Sequence, residues 1–181
     1  PAALDTTVHG LRWALNTLAV RPEWQARLAE EAQAAGPSPA LEQLPLARRV
    51  VQEVLRLYAP APLLARSAKF DQVFAGHKVR RGQTVIVALY AMHRHRQLWV
   101  DPDRFDPDRF LPERGVNPAW MPFGTGPRMC IAAQFAQAEM AVMLARLLAQ
   151  FSLHPTSHQP DLALRTATRS RNGLVVRMRR R

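Results

Sequence analysis

Phe123-Gly124-Thr125-Gly126-Pro127-Arg128-Met129-Cys130-Ile131-Ala132-Ala133-Gln134-Phe135-Ala136 carries the only cysteine of the chain. Two glycines and a proline over residues 124–127 force a turning backbone. The run after Cys130, rich in Ala, Phe, Met and Leu, has the composition of a long, mostly buried helix, which places the thiol at a loop-to-helix junction. Unpaired N–H groups and the positive end of the helix dipole favour a thiolate at such a junction, and Arg128 adds fixed positive charge two residues earlier. A thiolate so placed either attacks an electrophile or binds a soft metal, and its surroundings decide between the two.

Those surroundings belong to a globular chain. With 181 residues, 48% hydrophobic and 22% charged, it can bury one core and is not a disordered composition. A net charge of +11 and a pI of about 11.5 raise nucleic acid as a partner. However, the charge is almost all arginine, Lys69 and Lys78 being the lysines, and no aromatic-interleaved basic stripe accompanies it. The Arg177–Arg181 tail reads as a solvated end. One cysteine excludes an internal disulfide framework. No apolar run reaches the ~18 residues of a membrane span, and the start Pro1-Ala2-Ala3 with Asp5 lacks the features of a signal peptide. The expectation is a soluble, cytoplasmic chain with no membrane segment and no nucleic-acid partner.

Outward from the cysteine, the pattern is mainly helical. Leu4, Leu11, Leu15 and Leu18 mark an amphipathic helix over 4–19 with Trp13 and Ala14 on its flanks, and Arg21-Pro22 stops it. A second helix runs from Glu23 to Ala35. A third covers most of Leu41–Tyr58, with Leu46, Val50, Val51, Val54, Leu55 and Tyr58 at helical spacing. Residues 63–90 change period and read as one small sheet of short strands. The segment 91–122 is irregular and contains Asp101-Pro102-Asp103-Arg104-Phe105 repeated at once as Asp106-Pro107-Asp108-Arg109-Phe110. Its aspartates do not fit a calcium loop, since Phe105 and Asp106 lie where the tight-turn Gly belongs. His93 and His95 share a face of any extended strand, but no third ligand is suitably spaced and the neighbouring arginines favour a solvated surface. After the cysteine, Ala132–Phe151 forms a helix apolar nearly all round. Leu162–Leu164 and Leu174–Met178 then read as a C-terminal hairpin about Asn172-Gly173.

Phe-Gly-x-Gly-x-Arg-x-Cys before a helix resembles the haem-ligand loop of the cytochrome P-450 family, the haem-thiolate monooxygenases. Ala132 stands where that family has glycine. Glu53-Val54-Leu55-Arg56 ahead of Ala59-Pro60-Ala61-Pro62 and Arg66 resembles the family's K helix and following strand. Pro107-Asp108-Arg109-Phe110 resembles its Pro-Glu-Arg-Phe element. Ala2-Ala3-Leu4-Asp5-Thr6-Thr7 resembles its distal helix, with Ala3 in place of a preferred glycine. Taken without the family, Asp5 and Thr6 read as helix caps, and the Glu53/Arg56 spacing is that of an ordinary helical ion pair. The landmarks run in order along the whole chain.

The resemblance implies a fold class of mainly α with small β-sheets, the C-terminal part of the cytochrome P-450 fold, with residues 1–181 a single partial domain of a longer chain. It implies haem b, with Cys130 as iron ligand and Phe123, Gly124, Gly126, Arg128 and Ala132 around it. Arg66 either reaches a haem propionate or is an exposed strand charge. Asp5 and Thr6 would hold a water and pass protons, and Glu53, Arg56 and Arg109 would form a buried network behind the cysteine. The implied reaction inserts one oxygen atom from dioxygen into a small apolar organic substrate, near Ala61–Ala65 and Leu162–Arg171. Electrons would come from a ferredoxin, flavodoxin or flavoprotein reductase, an acidic carrier favoured by Arg94, Arg96 and Arg104. The alternatives are a peroxide-fed peroxygenase, against which Asp5 and Thr6 argue, and a truncated non-catalytic fragment that binds haem weakly or not at all.

Overall fold

The computed structural model describes residues 2–181, with side chains from Leu4 onward. The helices are α1 (Ala2–Ala19), α2 (Pro22–Ala35), α3 (Pro45–Leu57), the short α4 (Leu89–Met92) and α5 (Ala133–Gln150). The strands are β1 (Leu63–Ser67), β2 (Gln72–Phe74), β3 (His77–Val79), β4 (Thr84–Ala88), β5 (Phe151–His154), β6 (Leu162–Leu164), β7 (Thr168–Ser170) and β8 (Arg177–Arg180). They pair only as antiparallel two-stranded ribbons, β1 with β4, β2 with β3, β5 with β8 and β6 with β7. Helices therefore build the core and the ribbons flank it, as expected of a mainly α chain with small sheets.

Prolines set two of the helix starts. Pro22 and Pro45 occupy the first turn of α2 and α3, where a missing N–H costs nothing. This is why the third helix starts at Pro45 rather than Leu41: Leu41–Gln43 is a separate 3-10 turn, because a proline inside a continuous helix would break it. The core forms where α3 meets its neighbours. Val50, Val51, Val54 and Leu55 of α3 are buried against Met140, Leu144 and Leu148 of α5, Leu28 of α2 and Leu18 of α1. Gly10 lets α1 come close, since a Cβ there would stand 2.9 Å from Met140 Cε.

Several expectations need correction. On α1 the buried face carries Trp13, Ala14 and Leu18, while Leu4 is exposed, so the presumed flank is the core side. Trp13 is held there by stacking on Tyr58 at 4.3 Å and by donating its indole N–H to the Thr168 carbonyl at 3.2 Å. Helix α5 is not buried all round: Met140, Ala141, Leu144, Ala145 and Leu148 face the core, and Phe135 and Met143 face outward. Residues 63–90 form two separate ribbons, not one sheet, and Ala68–Phe70 is a bend between them. The C-terminal hairpin pairs β6 with β7, and Leu174–Val176 is outside any strand. Asn172 explains this, because its side chain accepts from Asp161 N–H and donates to the Gln159 carbonyl, clamping a broad loop instead of a tight turn. The Arg177–Arg181 tail is a strand rather than a loose end, laid against β5 in the register Phe151 to Arg180 through His154 to Arg177.

Candidate functional site

The site is built backward from α3. Glu53 and Arg56 lie one helical turn apart, and both are fully buried. The pair is bidentate, Arg56 Nε to Glu53 Oε2 at 2.7 Å and Nη2 to Oε1 at 2.9 Å. The remaining guanidinium protons go to main-chain carbonyls of the irregular segment: His93 at 2.6 Å, Pro102 at 2.7 Å and Arg104 at 3.2 Å. Glu53 Oε1 also accepts from Asp106 N–H at 2.8 Å and from Arg109 Nε at 3.4 Å. Burial pushes the Glu53 carboxyl up from its ordinary value, and Arg56, the Asp106 N–H and Arg109 pull against that.

Arg109 reaches this group from the far end of the repeat, and its other donors go to the carbonyls of Val100, Asp101 and Arg104. Asp108 takes no part in the network. It pairs instead with Arg49 at 3.5 Å and Arg27 at 3.7 Å.

Two links run from the network to the cysteine turn. One is a file of rings: Trp99 to Phe110 at 6.4 Å, Phe110 to Trp120 at 5.6 Å and Trp120 to Phe123 at 6.3 Å. Trp120 also donates its indole N–H to Gln52 of α3 at 3.1 Å. The other link is His93, which sequence reasoning placed on a solvated surface. The ring is fully buried, with Nδ1 3.0 Å from the Arg56 carbonyl and Nε2 accepting from Met121 N–H at 3.2 Å. Leu89 and His93 stand four apart across α4, a helical spacing that the assumption of an extended strand concealed. Burial lowers the His93 pKa to about 4, against the hydrogen bond to Arg56 and with the charges of Arg56 and Arg94. His95, by contrast, is exposed.

The turn itself closes on Cys130, whose N–H donates to the Phe123 carbonyl at 2.9 Å. Within it, Met129 N–H donates to Gly126 at 3.0 Å and Gly124 N–H to Met121 at 2.9 Å. Gly124 and Gly126 have φ of +72° and +71°, a region that side chains rarely adopt, so glycine is required at both. Leu64 of β1 lies against Gly124. Phe123 is half-buried against the core. The Cys130 thiol is free and exposed, three residues before α5 begins. Ile131, next to it in sequence, is fully exposed, and Phe135 near the start of α5 is 69% exposed. Ala132 is half-buried as the residue capping α5.

The other candidates lie around this turn or apart from it. Arg128 is exposed at the end of the Gly126–Arg128 3-10 turn. Arg66, exposed on β1, turns its guanidinium back to the Ala65 carbonyl at 2.9 Å. Asp5 is exposed in the first turn of α1, 3.6 Å from His9 Nε2, with Thr6 following it. Arg94, expected to be a free basic group, stacks on Tyr90 at 3.9 Å and pairs with Asp103 at 3.5 Å, which leaves Arg96 and Arg104 exposed. No helix among the described residues is long and apolar enough to cross a membrane.

A lone exposed thiol, with exposed apolar Ile131 next in sequence and exposed Arg128 two residues before it, suits an apolar cofactor carrying a soft-ligand metal and acidic side groups. The class this geometry fits is that of haem-thiolate proteins. The family model described as Cytochrome P450 matches residues 1–176. Cytochrome P450 4F12 of Homo sapiens is 38% identical over 96% of the chain. Cytochrome P450 4A6 of Oryctolagus cuniculus is 36% identical over 97% of it. The chain spans 36% of the length of each. The crystal structure of the cytochrome P450DA heme domain superposes with a TM-score of 0.88 at 30% identity, over 97% of this chain and 41% of that one. The chain belongs to the cytochrome P450 family.

Two outcomes follow from the buried cluster. Arg56→Lys supplies a point charge in place of a planar fork and strands several buried carbonyls, so unfolding by urea should show a loss of about 3–5 kcal/mol. His93 stays neutral in the fold down to about pH 4, whereas the unfolded chain takes up a proton below its ordinary 6.5. Its contribution is therefore lost as pH falls from 6.5 to 4, by about 3 kcal/mol, and levels off below that. Urea midpoints across this range, compared with His93→Phe, should show that slope only when the imidazole is present.

Proposed function

We propose that this chain is the haem-binding portion of a monooxygenase, with Cys130 as the ligand to the iron of haem b. The observation that carries the reading is the exposed thiol at the head of a glycine-dependent turn backed by the buried Glu53–Arg56 pair. When bound, haem supplies the iron at which dioxygen is activated and one of its oxygen atoms is delivered to a small apolar organic substrate, with electrons from a ferredoxin, flavodoxin or flavoprotein reductase.

The chain's own residues supply the rest. The sulfur of Cys130 donates electron density, and the backbone N–H groups that Gly124, Gly126 and Ala132 allow near it temper its basicity. Phe123 shields that face from water. Arg128 would neutralise an acidic side group of the haem, and Arg66 would do the same only by swinging its guanidinium away from the Ala65 carbonyl, to which it donates at 2.9 Å. Asp5 and Thr6, near the start of α1, would hold a water and relay protons from solvent through it to dioxygen, with His9 Nε2 3.6 Å from the Asp5 carboxylate. Glu53, Arg56 and Arg109 touch neither cofactor nor substrate and act by holding the turn in place.

Haem titrated into the protein, reduced and treated with carbon monoxide, should give the red-shifted Soret band of thiolate ligation, and Cys130→Ala should lose it. Absence of that band from the unaltered protein would sink the reading and favour a fragment that does not bind haem productively. Asp5→Asn keeps the size of the side chain and removes its charge. It should leave the band in place and lower reductase-driven substrate turnover roughly 10²–10⁴-fold, measured as oxygenated product formed per haem.

A further inference from the structure

The bonds made by His93 determine its chemical form. The Met121 N–H can only donate, so Nε2 must present a lone pair; the Arg56 carbonyl can only accept, so Nδ1 must carry the proton. Only the neutral Nδ1–H imidazole satisfies both at once. Arg56 returns a bond, donating Nη1 to the His93 carbonyl at 2.6 Å, so the two residues are tied twice. The charged groups near the ring, Arg56 on α3 and Arg94 in the segment after α4, both oppose a positive charge on it, in agreement with that form.

From Met121 the connection continues into the cysteine turn. Its carbonyl accepts from Gly124 N–H at 2.9 Å, and the Phe123 carbonyl accepts from Cys130 N–H at 2.9 Å. A run of short hydrogen bonds and single residue steps thus leads from a helix carbonyl in the core to the amide of Cys130, and the imidazole is its only side-chain member. The rings of Trp99, Phe110, Trp120 and Phe123 run alongside, and Trp120 adds one directed bond to α3 through the Gln52 carbonyl at 3.1 Å; that bond holds a side chain, whereas His93 holds the main chain of Met121 itself.

We propose that His93 is a positioning residue: as a neutral imidazole bridging the Arg56 carbonyl and the Met121 N–H, it sets the place of the Phe123–Cys130 turn relative to α3. The inference rests on the reading of Cys130 as iron ligand for its consequence, and on hydrogen bonding alone for its cause. Its rival is that His93 merely fills space, its ring standing edge-on to Trp99 at 6.4 Å. Two substitutions separate these roles. His93→Phe keeps a flat ring against Trp99 and leaves the Met121 N–H and Arg56 carbonyl unpaired. His93→Gln carries its amide out to about where Nε2 stands and so keeps an acceptor for the Met121 N–H.

Hydrogen exchange at the Met121 amide, read in the haem-loaded protein and again without haem, reports the bond directly. Exchange should speed up about tenfold or more in His93→Phe and stay near the wild-type rate in His93→Gln. In the reduced carbon-monoxide complex, His93→Phe should lose most of the thiolate Soret band and His93→Gln should retain it. Loss of Met121 protection in both variants, or in neither, overturns the proposal. Should His93→Phe fail to fold, His93→Gln decides alone: retained protection supports the bridge and lost protection refutes it. A wild-type protein without the thiolate band counts against the haem reading, while exchange at Met121 still decides what His93 does.

Discussion

Arg56 is completely buried and uses all five of its N–H donors inside the protein, two on Glu53 and three on the carbonyls of His93, Pro102 and Arg104. Taking such a pair out of water costs several kcal/mol per ion, and a bare pair often fails to offset that cost. Here the offset comes from completeness, because every Arg56 donor has an acceptor, and Glu53 takes one N–H on Oε2 and three on Oε1. The carbonyls that Arg56 serves belong to a stretch without regular secondary structure. A buried strand or helix would satisfy such groups from its own backbone, but this segment leans on two side chains, Arg56 and, behind it, Arg109. The irregular path of residues 93–110 is therefore a property of Arg56 as much as of its own sequence.

That path ends at the thiol. The same segment supplies His93, Trp99 and Phe110, which lead through Trp120 and Met121 to the turn at Phe123–Cys130. Rigidity is concentrated behind the sulfur, where bonds are short and atoms are buried. On the other side Ile131 and Phe135 stay exposed and apolar. A site that must present one atom at a fixed position while leaving its front open needs this asymmetry: the protein orders what stands behind the ligand and leaves the front to whatever binds there.

Much of this was legible in the sequence. The glycines of the turn were legible as turn residues, and their positive φ is a region that other side chains rarely adopt. The helices α2 and α3 were legible from the apolar spacing of their buried faces, although the start of α3 at Pro45 was not. What was not legible depended on partners far along the chain. The choice between the two faces of α1 was made by Tyr58 and Thr168, both remote from it. His93 looked solvated beside Arg94 and Arg96, because nothing local indicates that a carbonyl of α3 and an amide of Met121 will converge on its ring. The C-terminal hairpin was misplaced because Asn172 and Gly173, a pair that usually makes a tight turn, were recruited into a side-chain clamp.

The tandem Asp-Pro-Asp-Arg-Phe repeat shows where local reading stops. The two copies are identical, yet Arg104 contributes its carbonyl to the network and leaves its side chain exposed, while Arg109 inserts its guanidinium and reaches Glu53. Phe105 goes into the core against Trp24 at 6.0 Å, and Phe110 joins the file of rings toward the cysteine. Asp103 pairs with Arg94, and Asp108 with Arg49 and Arg27. Propensity is the same for both copies, so it cannot choose between these fates; the choice is made by position relative to a pair of buried charges that demands one further cation and several carbonyls. Once Arg56 takes the carbonyls of Pro102 and Arg104, the chain one repeat later is at the right distance to bring Arg109 to Glu53, and the second copy becomes the functional one by register.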